Sequence, residues 1–194
     1  MPRKSEILTL LLIGAALLLW SGISPYDRLT WFMEVVPALI AAPLLVATWP
    51  RFPLTRLAYY LIFAHALVLM LGGHYTYARV PLGQWLEDGF GFTRNHYDRI
   101  GHLVQGFVPA IVARELLVRT SPLRPGKWLF ALVTLTCLAI SACYELIEWA
   151  SAVTMGQNAD EFLATPGRSV GHAGRHAVRA DRRDRFANPA IEDS

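Results

Sequence analysis

Five apolar blocks, each near the twenty residues that cross about 30 Å of hydrocarbon, constrain this chain more than anything else in it. They cover approximately 7–23, 31–49, 57–77, 99–118 and 128–149. A bilayer core offers no water to satisfy backbone N–H and C=O groups, so such blocks must be helices. The sequence therefore predicts an all-α, polytopic transmembrane helix bundle with five spans. Only 17% of the residues are charged, and the apolar ones come in runs rather than at three-and-four spacing, which argues against a soluble amphipathic-helix protein. The net charge of +3 does not point to nucleic acid, because the basic residues are scattered over short loops and a tail. That distribution belongs to membrane topology, with the lipid bilayer as the expected partner.

The first block follows the basic start PRKSE, which raises the possibility of a cleaved signal peptide. Its apolar core is long for one, and the small-x-small match GIS runs into Pro25, so a retained helix is expected. Trp31 and Trp49 bracket the second block as interfacial aromatics, and Glu34 near its start reads as a headgroup-level carboxylate. The connections PRFPLTR and SPLRPGK are short and carry helix-stopping prolines. The third connection, with LEDGFGFTRNHYD, reads as a long loop. Cys137 and Cys143 lie six residues apart on different faces of one helix and read as small buried apolar side chains.

Lys and Arg near the helix ends set the expected orientation. Arg3, Lys4, Arg51, Arg56, Arg119, Arg124 and Lys127 lie on one side, and Arg28, Arg79, Arg94 and Arg99 on the other. Seven against four predicts a cytoplasmic amino terminus. Alternating helix direction then brings His74, His96, Asp98, His102, Glu145 and Glu148 to one surface, the periplasmic one. Asp98 and His102 are four apart on one helical face, with Gln105 three further along, and Glu145 and Glu148 share a face of the fifth helix.

Acid, imidazole and amide groups converging at a bilayer edge suit general acid/base chemistry, a proton relay or a divalent metal. His102, Glu145 and Glu148 are the catalytic candidates, and His96, Asp98, His102 and Glu145 the metal-ligand candidates. His74 and Gln105 complete the polar cluster. The sequence contains no HExxH, CxxC or glycine-rich phosphate loop, so neither a metal's identity nor any cofactor follows from it. Glu115, near the opposite surface beside Arg114 and Arg119, reads as an interfacial ion pair. His65, alone in mid-span, reads as a neutral histidine bonded to a neighbouring helix. Three functions remain open: a membrane-embedded enzyme, a proton-coupled carrier, and a structural or partner-binding membrane protein.

The stretches GGHYTYARVPLG, NHYDRIGHLVQGFVPAIVARELL and AISACYELIEWA followed by ADEFLAT resemble the YjdF-like inner-membrane proteins of bacteria. The resemblance covers the chain up to Thr165. It implies location and fold and carries no biochemical activity, and the family pattern implies a sixth span. Residues 1–165 are thus expected to form the membrane domain. Residues 166–194 are arginine-rich without an apolar run and read as a basic, disordered tail. A coding sequence for Thr165–Arg185 exists that, on deletion of one cytosine, reads TQGDPWDTQADMLFALIGAI. The tail is accordingly expected to be a frameshift product, with His172 and His176 accidental.

Overall fold

The computed structural model describes residues 2–92 and 95–155, with Glu148, Ser151, Ala152, Thr154 and Met155 described through their backbone alone. The helices are α1 (Lys4–Ser21), α2 (Arg28–Thr48), α3 (Arg56–Tyr75), α4 (Pro81–Phe90), α5 (Tyr97–Thr120) and α6 (Lys127–Met155). Among the described residues there is no strand, and all of these helices except α4 are long and apolar enough to cross a membrane. The five expected spans are present, with ends displaced by a few residues. The expectations for 166–194, and Arg94 in the orientation count, fall outside the described residues.

Local chemistry sets the helix starts. Asp27 caps α2 by accepting from the Thr30 N–H at 2.7 Å, and Thr55 caps α3 toward Ala58. Asn95 organises the entry to α5, donating to the Val80 carbonyl at 3.0 Å while accepting from the Tyr97 N–H at 2.9 Å. Pro37 and Pro43 lie inside α2 and Pro109 inside α5. Each removes a donor from its helix, a loss that membrane helices repair through neighbours. One repair is visible: Pro37 cannot bond the Met33 carbonyl, and the Tyr144 hydroxyl of α6 approaches that oxygen at 3.4 Å.

α3 is the hub, packing against α1, α2 and α5, and α6 packs on α5. Outward side chains such as Ile13, Leu19, Phe130 and Leu138 are well exposed. In water such a surface would be a liability, whereas in a bilayer it is the lipid contact.

The third connection differs from the expected loop. Its first half folds into α4, started by Pro81 at its first turn and ended by Gly91 in the left-handed conformation (φ 67°). Leu82, Trp85 and Phe90 recur at helical spacing and are exposed, Trp85 by 71% and Phe90 by 72%. A ten-residue helix is too short to span, and its apolar face suits it to lie along the membrane interface.

Candidate functional site

The turn between α3 and α4 builds the site. Thr76 has φ 62° and ψ 143°, a conformation that costs a β-branched residue of order 1–3 kcal/mol. It reverses the chain so that Tyr77 re-enters the bundle instead of continuing outward. The Tyr77 ring wedges between α3 and α5 at two glycines, where an added methyl would stand 2.6 Å away at Gly72 and 2.7 Å away at Gly101. Its hydroxyl donates to Glu34 at 2.9 Å. Burial, and then the Glu34 charge and this hydrogen bond, hold the Tyr77 phenol well above its ordinary pKa of 10, so it remains a donor.

Glu34 therefore departs from the headgroup-level reading. It lies six residues, about 9 Å, inside α2, and is only 6% exposed. The fold-back of Tyr77 supplies the donor that lets a carboxylate sit at that depth.

Glu34 and Tyr77 line the polar end of a groove of about 1600 Å³ whose walls come from α1, α2, α3, α5 and α6. Asp98, His102, Gln105, Tyr144 and Glu145 line the same groove, on the side of the membrane where α4 lies. Away from this end the walls are mainly Leu, Ala, Val, Ile and Phe. The groove continues to Lys4, Thr48 and Thr120 near the opposite surface.

Of the residues singled out from sequence, Asp98, His102, Gln105 and Glu145 thus line one groove. The Asp98 carboxylate lies 3.4 Å from His102 Nε2, the four-residue pair that the spacing predicts, and the His102 side chain is 52% exposed. His74 is held elsewhere: its ring stacks on Trp20 and its Nδ1 donates to the Ser21 carbonyl at 2.9 Å, locking α3 to the end of α1. His96 packs edge-on against Phe92, with Nδ1 buried and without a hydrogen-bond partner among the described residues. Among the described residues no three His, Cys, Asp or Glu side chains come together in a metal-holding group. The donors His96, Asp98, His102 and Glu145 include only one close pair, because His96 lies before α5 begins and turns toward Phe92.

His65 also differs from expectation. It lines the groove at mid-depth, and its buried Nε2 has no hydrogen-bond partner among the described residues instead of a bond to a neighbouring helix. Glu115 is the ion pair that the sequence suggests, at 2.6 Å from Arg119, and it does more than pair. Only 8% exposed, it also accepts from the Thr55 N–H and hydroxyl, both at 2.8 Å, and so anchors the start of α3 to α5.

A family model described as a predicted membrane protein (DUF2238) matches residues 6–171. The chain belongs to this family. It is 55% identical over 164 residues to the inner membrane protein YjdF of Escherichia coli (strain K12), an alignment covering 84% of this chain and 77% of that relative. No solved structure matches it. The DUF2238 chain is thus a multi-pass, all-helical protein of the inner membrane, and neither the family description nor the relative's name carries a biochemical activity.

Proposed function

We propose that this protein is a membrane-embedded acid/base enzyme acting on the polar end of a membrane-resident molecule. The observation that carries the reading is the Asp98–His102 pair opening into a groove that is apolar for most of its length. Asp98 beside Nε2 favours the tautomer with the proton on that nitrogen and leaves Nδ1 as the base. A distance of 3.4 Å is long for a hydrogen bond, and catalytic pairs without substrate are often loose. Glu145 faces the same groove and is the candidate to return a proton, and Gln105 can orient a hydroxyl or carbonyl. Water suffices as the nucleophile in this scheme, and no step is assigned to a metal.

The count of seven basic residues against four supports a cytoplasmic amino terminus, which makes the α4 side periplasmic. We further infer that residues 166–194 are read in a shifted frame. Resequencing the coding DNA across Thr165 tests that: an intact frame with a codon series that cannot yield the alternative string contradicts it.

The test of the enzyme reading is turnover in proteoliposomes of total bacterial lipid, followed by mass spectrometry. Wild type should generate a lipid species that His102→Ala and Asp98→Asn fail to generate while inserting normally. Equal product from wild type and His102→Ala rejects the assignment.

One observation favours a carrier instead. The groove reaches both ends of the bundle, with His65 at mid-depth as the ionisable group a relay needs. Loss of transbilayer lipid movement in His65→Ala, with unchanged lipid composition in wild type, would select it.

A further inference from the structure

The substrate's chemistry is written in the two ends of the groove. At about 1600 Å³ it exceeds the roughly 300–1,000 Å³ of pockets built for drug-sized molecules. Its long apolar run fits hydrocarbon chains, which a polar metabolite would not fill. Among the described residues, the polar end is lined by three carboxylates, Glu34, Asp98 and Glu145, and by no Lys or Arg; the one Lys in the described lining, Lys4, belongs to the opposite end. An anionic headgroup would meet repulsion there, and a cationic one would meet complementary charge.

Depth supplies an independent observation. Glu34 packs at the level of Gly73 of α3, as the close approach of its Cβ to that position records. His65 lies eight residues, about 12 Å, further into the bundle. Its Nε2 is buried, without a hydrogen-bond partner among the described residues, and the side chain lines the same groove. A buried polar atom left in this state is costly, and a polar linkage below the headgroup, such as an ester or a hydroxyl, would satisfy it.

We propose that the groove binds a long-chain membrane lipid with an amine headgroup, its ammonium among Glu34, Asp98 and Glu145, its backbone linkage at the level of His65, and its chain along α2, α3 and α5. This rests on the enzyme reading only for the fate of the bound lipid; the binding itself is separate. Glu34, already held by Tyr77, serves as a fixed negative wall, and the more accessible Asp98 and Glu145 adapt to the headgroup.

Binding is measured on the purified full chain in nanodiscs of neutral lipid, by displacement of a nitroxide-labelled long-chain alkylamine and, separately, of the fatty acid of equal chain length. The amine should bind about tenfold more tightly than the acid, the preference expected of a few partly exposed charge pairs. Asp98→Asn combined with Glu145→Gln should remove most of that preference without loss of fold, since both residues face the groove and neither caps a helix. Glu34→Gln is the second variant and should reduce it further. Equal binding of amine and acid, tighter binding of the acid, or a preference that survives all three substitutions overturns the proposal. His102→Ala keeps the failures apart: it should retain the amine preference while losing turnover. An amine preference in a protein that never turns lipid over would remove the enzyme reading and leave the ligand.

Discussion

Replacing Tyr77 by Phe isolates one hydroxyl. The ring stays wedged at Gly72 and Gly101, and only the 2.9 Å bond to Glu34 is lost. A hydrogen bond to a charged group contributes about 1.5–3 kcal/mol net. Glu34 keeps another interaction after the substitution, so it is not orphaned, and the lower half of that range, about 2 kcal/mol, is the appropriate figure. For a chain of this length each kcal/mol moves the midpoint roughly 2–4 °C, which gives a fall in Tm of about 4–8 °C. The assay is thermal unfolding in one detergent, followed by intrinsic fluorescence and by loss of the monodisperse peak. Tyr77→Ala, which also empties the wedge, should cost more, about 3–5 kcal/mol as for other buried aromatics. A Tm for Tyr77→Phe within a degree or so of wild type would refute the claim that Tyr77 holds the Glu34 carboxylate in the bundle. Equal losses for Phe and Ala would refute the separation of wedge from hydroxyl.

Other consequences can be checked in the same preparations. Glu115→Gln leaves Arg119 without its carboxylate beside a nearly buried cap, and should destabilise by about 3 kcal/mol in a denaturant titration, against about 1 kcal/mol for Thr55→Ala; a neutral Glu115→Gln contradicts the anchor. Gly101→Ala places a methyl against the Tyr77 ring and should lower stability by about 1–3 kcal/mol, with the loss recovered in part by a smaller residue in place of Tyr77. Tyr144→Phe should cost less than about 1 kcal/mol, and Pro37→Ala in the same chain should erase that cost, because the backbone N–H that the substitution restores can bond the Met33 carbonyl itself. A protein retaining Trp85 as its single tryptophan should be quenched by shallowly brominated lipid and shielded from aqueous acrylamide; water-like emission would place α4 off the membrane.

How much of this was legible in the sequence depended on whether a feature is local. The five spans follow from block length alone, since a bilayer sets the number of residues a helix must supply. Asp98 and His102 were legible as a pair because four residues is one helical step, and α5 begins just before them. The depth of Glu34 was not legible, because it depends on Tyr77, forty-three positions away, folding back through a strained Thr76. The paired signal, a glycine-rich helix end at Gly72–Gly73 and a second glycine at Gly101, has meaning only once α3 and α5 are adjacent. His74 and His96 carry the right residue type at the right membrane level, but the ring of each is taken by a neighbouring aromatic. The short α4 was announced by Pro81, the spacing of Leu82, Trp85 and Phe90, and Gly91, signals a search for twenty-residue blocks passes over.

The central claim, that a membrane lipid lies in the groove with its head at the α4 side, is tested most directly by photo-cross-linking in nanodiscs. An amine-headed lipid carrying a diazirine either near the head or at the chain terminus is irradiated, and the labelled residues are read by mass spectrometry. The account predicts labels on groove-lining residues in order of depth: Leu69, Met70 and Gln105 from the proximal probe, and Leu45, Val112 and Leu116 from the distal one. Labels spread over the outward residues of α1 and α6, such as Ile13, Leu19, Phe130 and Leu138, in proportion to their exposure and in no order of depth, would contradict it.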